Sequence, residues 1–293
     1  MMMNKTSFIK SILALAIFVG GLSVFLYPAV SNFVNEQFQT EVIYDFEKAV
    51  AEMSSGDKAT ALESAHSYNA SLVQNQGTLH DPFGDQSQKE PEENVVSFLT
   101  VGEVMGYVQI PKIDIKAPVY EGVSEDVLQR AIGWLPGTSL PVGGESTNSV
   151  LSGHRGLPTA KLFTDLDLLE PEDEFFFINS DEILAYKVVE KKIVDPRDSD
   201  ALEILPGQDR MTLLTCHPYM INSHRLLVIG ERIPYVGQLD EIEENTNWID
   251  SMTGAEKDLF KSILIVAGLL VVVILIFWLS RYRRKKQKGH KNV

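Results

Sequence analysis

Cysteine is nearly absent from this chain, whose 293 residues contain only Cys216. A single cysteine excludes an intramolecular disulfide and the multi-thiolate sets of structural zinc sites. The sequence also lacks a glycine-rich loop with the following lysine that binds phosphates. We therefore expect neither a metal nor a cofactor. A lone thiol is commonly a small buried hydrophobe, but in an exported domain an unpaired cysteine is a candidate reactive group.

Charge is absent from two long stretches, residues 11–30 and 262–280. Each matches the roughly 20 residues that a helix needs to cross a bilayer. Lysines precede the first stretch and seven basic residues follow the second, which favours two cytoplasmic termini. The alternative for the first stretch is a cleaved signal peptide. In either case the sequence predicts that residues 31–260 lie on the extracellular face of the cell membrane.

Basic residues are scarce between these two stretches. Residues 31–260 hold all 40 acidic residues but only 16 of the 26 basic ones, a net charge of −24. Such a surface repels nucleic acid, so we expect no nucleic-acid partner. The charge suits solubility or, alternatively, a lysine-bearing protein partner.

The segment around Cys216 predicts a β-hairpin. Residues 211–216 and 224–233 are apolar runs of strand character, and proline, asparagine and serine between them favour a turn. Cross-strand neighbours lie roughly 5 Å apart at Cβ. Cys216 and Arg225 could therefore share one face of the hairpin.

The region before residue 101 predicts helices and then a linker. Residues 31–54 and 58–75 carry apolar residues at helical spacing, which predicts a helical arm that holds the domain away from the membrane. Asn69 matches an N-glycosylation acceptor but is expected to be ordinary helix surface. Residues 77–94 are acidic and rich in turn formers, as is typical of a linker.

The region after residue 101 predicts a β-barrel. Seven or eight short strands alternate with turn signals, which favours an antiparallel or mixed barrel, although periodicity alone leaves a sandwich open. A short helical turn is expected over residues 126–132. A strand over residues 149–152 would present His154 at its end.

Three segments together resemble the sortases, membrane-anchored cysteine transpeptidases of Gram-positive bacteria. TLLTC at residues 212–216, followed by HRLLVIGER, is similar to the family's TLxTC strand and the next strand with its arginine. LSGHR at residues 151–155 resembles the segment with the family's histidine. GHRGLPTAKLFTDLDLL at residues 153–169 most resembles class C, the pilus-assembling group. The resemblance spans about residues 106–234 and implies an eight-stranded sortase barrel.

The resemblance also implies the catalytic residues. Cys216 would be the nucleophile, His154 the general acid and base, and Arg225 the group that stabilises the oxyanion or the substrate. These residue types suit the chemistry, because a thioester prefers amines to water and an imidazole can both donate and accept a proton near neutral pH. Among the six histidines, His217 and His224 would point to the hairpin face opposite Cys216. Without the resemblance, His154 would remain one candidate among structural histidines.

A lid is implied by a further similarity, between Asp81-Pro82-Phe83 and the Asp-Pro-aromatic tripeptide of class C sortases. In that group the tripeptide lies over the active site. Asp81 would then pair with Arg225, and the Phe83 ring would cover Cys216.

The hairpin loop departs from the usual class C pattern TCTPYGxNTHR. His217 replaces a small hydroxyl residue, and Met220 replaces a glycine. His217 is a candidate to shift the pKa of Cys216, and the loop that carries Met220 is expected to differ in shape.

The implied function is cleavage of an LPxTG-like sorting signal and transfer of the thioacyl intermediate to a pilin lysine, which gives covalent pilus polymers. One alternative is a housekeeping sortase that attaches surface proteins to the amine of a cell-wall precursor. Others are a cysteine hydrolase and a non-enzymatic, membrane-anchored binding module on a sortase-like barrel.

The predicted organisation is a mainly β protein with an eight-stranded sortase-type β-barrel, an N-terminal helical arm, a lid loop and two flanking transmembrane helices. In chain order the expected parts are a cytoplasmic N-terminus (1–10), a transmembrane helix or signal anchor (11–30), the arm (31–76), lid and linker (77–100), the barrel (101–236), a juxtamembrane linker (237–260), a transmembrane helix (262–280) and a basic cytoplasmic tail (281–293).

Overall fold

The computed structural model describes residues 5–75, 79–84, 103–239, 256–266 and 268. The chain divides into two compact units, Met1–Val30 with Ala255–Val293, and Ser31–Gly254. The α-helices are α1 (Lys5–Glu52), α2 (Ser55–Asn75) and α3 (Glu125–Leu128). The strands are β1 (Val104–Ile110), β2 (Ile115–Glu121), β3 (Ile132–Trp134), β4 (Thr147–Ser152), β5 (Glu174–Ile178), β6 (Ile183–Val194), β7 (Asp209–His217) and β8 (His224–Ile233). Short 3₁₀ segments cover Pro111–Ile113, Leu162–Leu168 and Asp200–Leu202.

The eight strands form a closed barrel in the order β1-β2-β3-β4-β7-β8-β6-β5. The β2–β3 and β4–β7 pairs are parallel, and the other neighbours are antiparallel. Buried aromatic side chains such as Trp134, Phe163, Phe175 and Phe177 fill the core. Closure leaves no unpaired sheet edge. The barrel confirms the predicted mainly β, eight-stranded fold and excludes the sandwich.

The N-terminal apolar stretch lies in α1. Among the described residues, one helix is long and apolar enough to cross a bilayer, over Ile17–Glu52, a test that signal sequences also pass. The second predicted membrane helix, over residues 262–280, falls largely outside the described residues. The juxtamembrane linker (237–260) and the basic tail also lie mostly or wholly outside them.

The two predicted arm helices pack against the barrel. Ile43 and Phe46 of α1 are buried in a cluster that includes Tyr107 and Tyr120. Ala61 and Ala65 of α2, together with partly buried neighbours, join the main core. An apolar stripe on a helix is stabilised by burial against another element, and here the barrel supplies that element.

Tertiary contacts override the local pattern in two places: one prediction is wrong, and another gives the right element with the wrong end. Asn69 is not surface: it is 3% exposed, its Nδ2 donates to the carbonyl of Leu140 at 3.1 Å, and its Oδ1 accepts from the Leu140 amide at 2.7 Å. The helical turn expected over residues 126–132 ends at Leu128, because Ile132 pairs with Val119 to begin β3.

Candidate active site

The β7–β8 hairpin places Cys216 directly opposite Arg225. His217 pairs with His224 one position further along, which confirms the predicted hairpin. The turn between the strands contains a cis peptide bond before Pro218 and a positive φ of 65° at Met220. A positive φ of this size favours glycine and costs other residues about 1–2 kcal/mol. Met220 thus adopts a backbone conformation suited to the glycine that it replaces.

The His154 segment follows β4, which is the parallel neighbour of β7. Ser152 pairs with Leu214, and His154 and Cys216 each lie two residues beyond this pair. The Gly153 amide donates to the Leu214 carbonyl at 3.1 Å, and the Thr215 hydroxyl donates to the Gly153 carbonyl at 2.7 Å. The structure therefore brings the two strand ends that carry His154 and Cys216 together.

Residues 81–84 form a turn over these strand ends. The Asp81 carboxylate accepts two hydrogen bonds from Arg225, from Nε at 2.7 Å and from Nη2 at 2.5 Å. The Phe83 ring lies against His154, with ring centroids 5.2 Å apart, and the Arg225 guanidinium is 5.4 Å from the Phe83 centroid. Cys216 is 4% exposed. The tripeptide thus contacts two of the three predicted catalytic residues.

Burial suppresses charge on both the thiol and the imidazole. Burial raises the pKa of Cys216; Arg225 opposes this effect and Asp81 adds to it. Burial also lowers the pKa of His154, against an opposing effect of Glu125. Among the described residues, the buried Nε2 of His154 has no hydrogen-bond partner. In this arrangement the favoured forms are a neutral thiol and a neutral imidazole.

His217 faces a different group from the one that the sequence suggested. Its Nδ1 lies 3.1 Å from Nη1 of Arg155, and the charges that act on the pKa of Cys216 are those of Arg225 and Asp81. The expected effect of His217 on the thiol is therefore not found. Arg155 was missed as a site residue, since its only signal was its position directly after His154.

A cleft of about 310 Å³, including space open to solvent, lies beside the turn over residues 81–84. Its lining combines apolar and charged side chains, among them Pro82, Val194, Leu214, Asp195 and Arg225. Part of the wall comes from the loop between β6 and β7.

No cluster of three or more potential metal ligands occurs in the part of the chain that the structure describes.

Comparisons with known proteins agree with this geometry. A family model described as a sortase domain matches residues 108–233. The crystal structure of sortase C-1 from Streptococcus pneumoniae is 46% identical, with a TM-score of 0.64 over 67% of this chain and 100% of that chain. A pilus-related sortase C of Group B Streptococcus is 41% identical, with a TM-score of 0.62 over 66% of this chain and 98% of that one.

A more distant relative extends the same assignment. Sortase D of Bacillus subtilis is 28% identical over 154 residues, which cover 51% of this chain and 75% of that protein. The chain belongs to the sortase family of cysteine transpeptidases, and the solved structures that it resembles at 41–46% identity are class C sortases.

Proposed function

We propose that this sortase cleaves an LPxTG-like sorting signal at Cys216 and joins the acyl group to a pilin lysine. The observation that carries the proposal is the pairing of Cys216 with Arg225 on one hairpin, next to the strand end that bears His154. Thiol, imidazole and guanidinium are the three groups that thioacyl transfer needs: a nucleophile, a proton carrier and a fixed positive charge.

The proposed reaction has two acyl transfers. In the first, Sγ of Cys216 attacks the threonine carbonyl carbon, the Thr–Gly C–N bond breaks, and the glycine amine leaves with a proton from His154. In the second, a lysine ε-amine attacks the thioester and gives its proton to His154, and the C–S bond breaks to regenerate the thiolate. Arg225 stabilises the oxyanion in both tetrahedral intermediates, so its guanidinium must be free of Asp81 at that point.

Asp81, Pro82 and Phe83 act in this proposal as a lid that must open before catalysis. The closed arrangement occupies Arg225 with a carboxylate, while the thiol is buried and the imidazole is half-buried against Phe83. Opening hydrates these groups, which lowers the pKa of Cys216 and raises that of His154 towards their ordinary values. The charged pair, thiolate and imidazolium, then becomes accessible.

The proposed location is the outer face of the cell membrane. Support comes from the apolar part of α1, from the uncharged stretch at residues 262–280 and from the basic residues outside each stretch. Both termini would be cytoplasmic and residues 31–260 extracellular. In this arrangement the barrel meets secreted pilin or surface proteins that carry sorting signals.

The proposal is tested by intact-mass analysis of the full chain in detergent, incubated with an LPxTG-type peptide. Three forms are compared: the parent chain, Cys216→Ala and Asp81→Ala/Phe83→Ala. We expect a thioacyl adduct that requires Cys216 and accumulates faster in the double variant. No adduct in any form, despite an alkylatable thiol, would reject this substrate class.

The acceptor is tested separately by adding two amines to the preformed adduct. A lysine-containing peptide from a pilin should accept the acyl group faster than a peptide that mimics the cell-wall precursor amine. The reverse preference would favour the housekeeping alternative, and release of free acid despite saturating amine would favour a hydrolase.

A further inference from the structure

Arg155 is a buried cation whose guanidinium contacts two different elements. Its side chain is 6% exposed. Nε donates to the Thr164 carbonyl at 3.0 Å, and Nη2 pairs with the Asp167 carboxylate at 2.7 Å. Nη1 lies 3.1 Å from Nδ1 of His217. The 3₁₀ segment Leu162–Leu168 therefore holds the guanidinium, which in turn holds the end of β7.

The contact between Arg155 and His217 fixes the state of the His217 ring. Guanidinium nitrogens only donate hydrogen bonds, so Nδ1 of His217 must be the acceptor and the ring is neutral with its hydrogen on Nε2. The charged groups around the bond are Arg155 itself and Asp167, which pairs with the other side of the guanidinium.

The hairpin loop also contacts Arg155, through the Tyr219 ring. The Tyr219 ring lies under the guanidinium, with its centroid 5.9 Å from Cζ of Arg155. Gly156, with φ of 88°, allows this approach, because a Cβ there would lie 3.0 Å from Cε2 of Tyr219. The loop after Cys216 is thus packed directly on the segment after His154.

Residues on both sides of Cys216 therefore form hydrogen bonds with the segment that carries His154. Before it, Leu214 and Thr215 bond to Gly153; after it, His217 bonds to Arg155. The His154 side chain has no comparable restraint: its Nε2 has no partner among the described residues, and its ring contact is with Phe83 of the lid. Once the lid opens, the backbone links set the position of the imidazole relative to the thiol.

We infer that Arg155 and His217 are positioning residues for acyl transfer, which lock the strand ends of His154 and Cys216 in register while the lid is open. This inference rests on the proposed function of Cys216 and His154. It also gives His217, the departure from the class C pattern, a role that the usual small hydroxyl residue could not fill in the same way. A short hydroxyl side chain would not extend as far from the backbone as the imidazole Nδ1.

The test uses the full chain in detergent with Asp81→Ala/Phe83→Ala, so that neither the carboxylate on Arg225 nor the Phe83 ring limits the rates. In this background His217→Ala is compared with His217→Asn, whose side-chain oxygen can accept near the position of Nδ1. His224→Ala is the matched control, because His224 is the cross-strand partner of His217 and its ring contacts Ser223 instead. Two rates are measured: thioacyl formation at varied peptide concentration, and alkylation of Cys216 by iodoacetamide across pH.

For His217→Ala we expect kcat for thioacyl formation to fall roughly tenfold to a hundredfold with KM little changed, the scale expected for a small misplacement of reacting groups. The midpoint of the alkylation profile should move to higher pH, because the thiolate loses an aligned imidazolium. His217→Asn should recover most of the loss, and His224→Ala should match the background.

Parental kcat and alkylation profile in a folded His217→Ala chain would overturn the inference, as would equal impairment of the alanine and asparagine variants. If His217→Ala fails to fold, Arg155→Lys is compared with the background in the same two assays. Lysine keeps the positive charge but cannot contact Thr164, Asp167 and His217 together. Unchanged rates in Arg155→Lys would also overturn the inference. If no chain forms a peptide adduct, the proposed substrate is rejected while the alkylation profiles still decide the positioning role.

Discussion

Asp81→Asn should open the active site by weakening the link between the lid and Arg225. Both side chains are largely buried, 14% and 8% exposed, so solvent screens their interaction little. Hydrogen bonds to charged groups contribute about 1.5–3 kcal/mol each, against about 1 kcal/mol for a neutral one. The isosteric amide keeps one oxygen acceptor for the guanidinium but loses the second acceptor and the negative charge, so the closed form should lose about 2 kcal/mol or more. A loss of about 2 kcal/mol lowers the closed-to-open ratio roughly 30-fold.

The assay is the rate of Cys216 alkylation in the full chain, followed by intact mass over a range of pH. Because the reagent reaches the thiol in the open form, the rate should rise by about the same factor of 30. The profile should also shift to lower pH, since both burial and the Asp81 charge raise the pKa of Cys216 in the closed form. Asp173→Asn is the matched control, because Asp173 pairs with Lys112 at 2.6 Å on the surface. A parental labelling rate for Asp81→Asn would refute the lid.

Three further changes test the packing and electrostatics. Burial lowers the pKa of His154 from its usual 6.5, so the unfolded chain binds a proton at this imidazole more readily than the folded chain does. The folded state therefore loses stability as pH falls below 6.5. His154→Gln should flatten that part of a plot of Tm against pH. Asn69→Ala should lower the free energy of unfolding by about 2–4 kcal/mol in a denaturant titration, because the buried amide and carbonyl of Leu140 lose their partners. Gly133→Ala should lower Tm, with a cost of about 1–3 kcal/mol or more, because its Cβ would collide with the Gly122 carbonyl oxygen.

The last two changes have internal controls. Ser71→Ala alters an exposed side chain on the same helix as Asn69 and should have little effect. Gly56→Ala adds a Cβ 3.8 Å from Oγ of Ser54, an ordinary contact distance, and should stabilise α2 by up to about 1 kcal/mol. A plot of Tm against pH for His154→Gln that is as steep as the parent's would contradict the account of the His154 pKa. A variant at Asn69 or Gly133 that is as stable as its control would contradict the account of its packing.

The hairpin could be predicted from the sequence because its signals are local. Strand character on both sides of a turn-rich segment is enough to place Cys216 near Arg225. Repeated short strands favoured a barrel but left a sandwich open, and the eight-stranded barrel came from the family resemblance. His154 was different, since its residue type and position left several histidines open and only the family motif selected it. The contact between Asp81 and Arg225 likewise came from a resemblance, because no periodic pattern links residues 144 positions apart.

The remaining features depend on partners that a sequence pattern does not identify. Apolar spacing predicted helices before residue 76 but could not show that their stripes cover the barrel. Asn69 looked like helix surface because nothing local reveals a bond to Leu140, 71 residues away. The contact between Arg155 and His217 was missed for the same reason, although both residues adjoin the predicted catalytic ones.

The parallel pairing of β4 with β7 has a consequence for folding kinetics. Sixty-two positions separate Arg155 from His217, and β5 and β6 lie between their strands in the chain. Such non-local pairing forms slowly, after the entropy cost of closing a long loop has been overcome. The guanidinium of Arg225 comes from the same local hairpin as Cys216, whereas the imidazole of His154 is brought alongside only when β4 pairs with β7. We therefore expect the thiol to gain its guanidinium early in folding and its imidazole late.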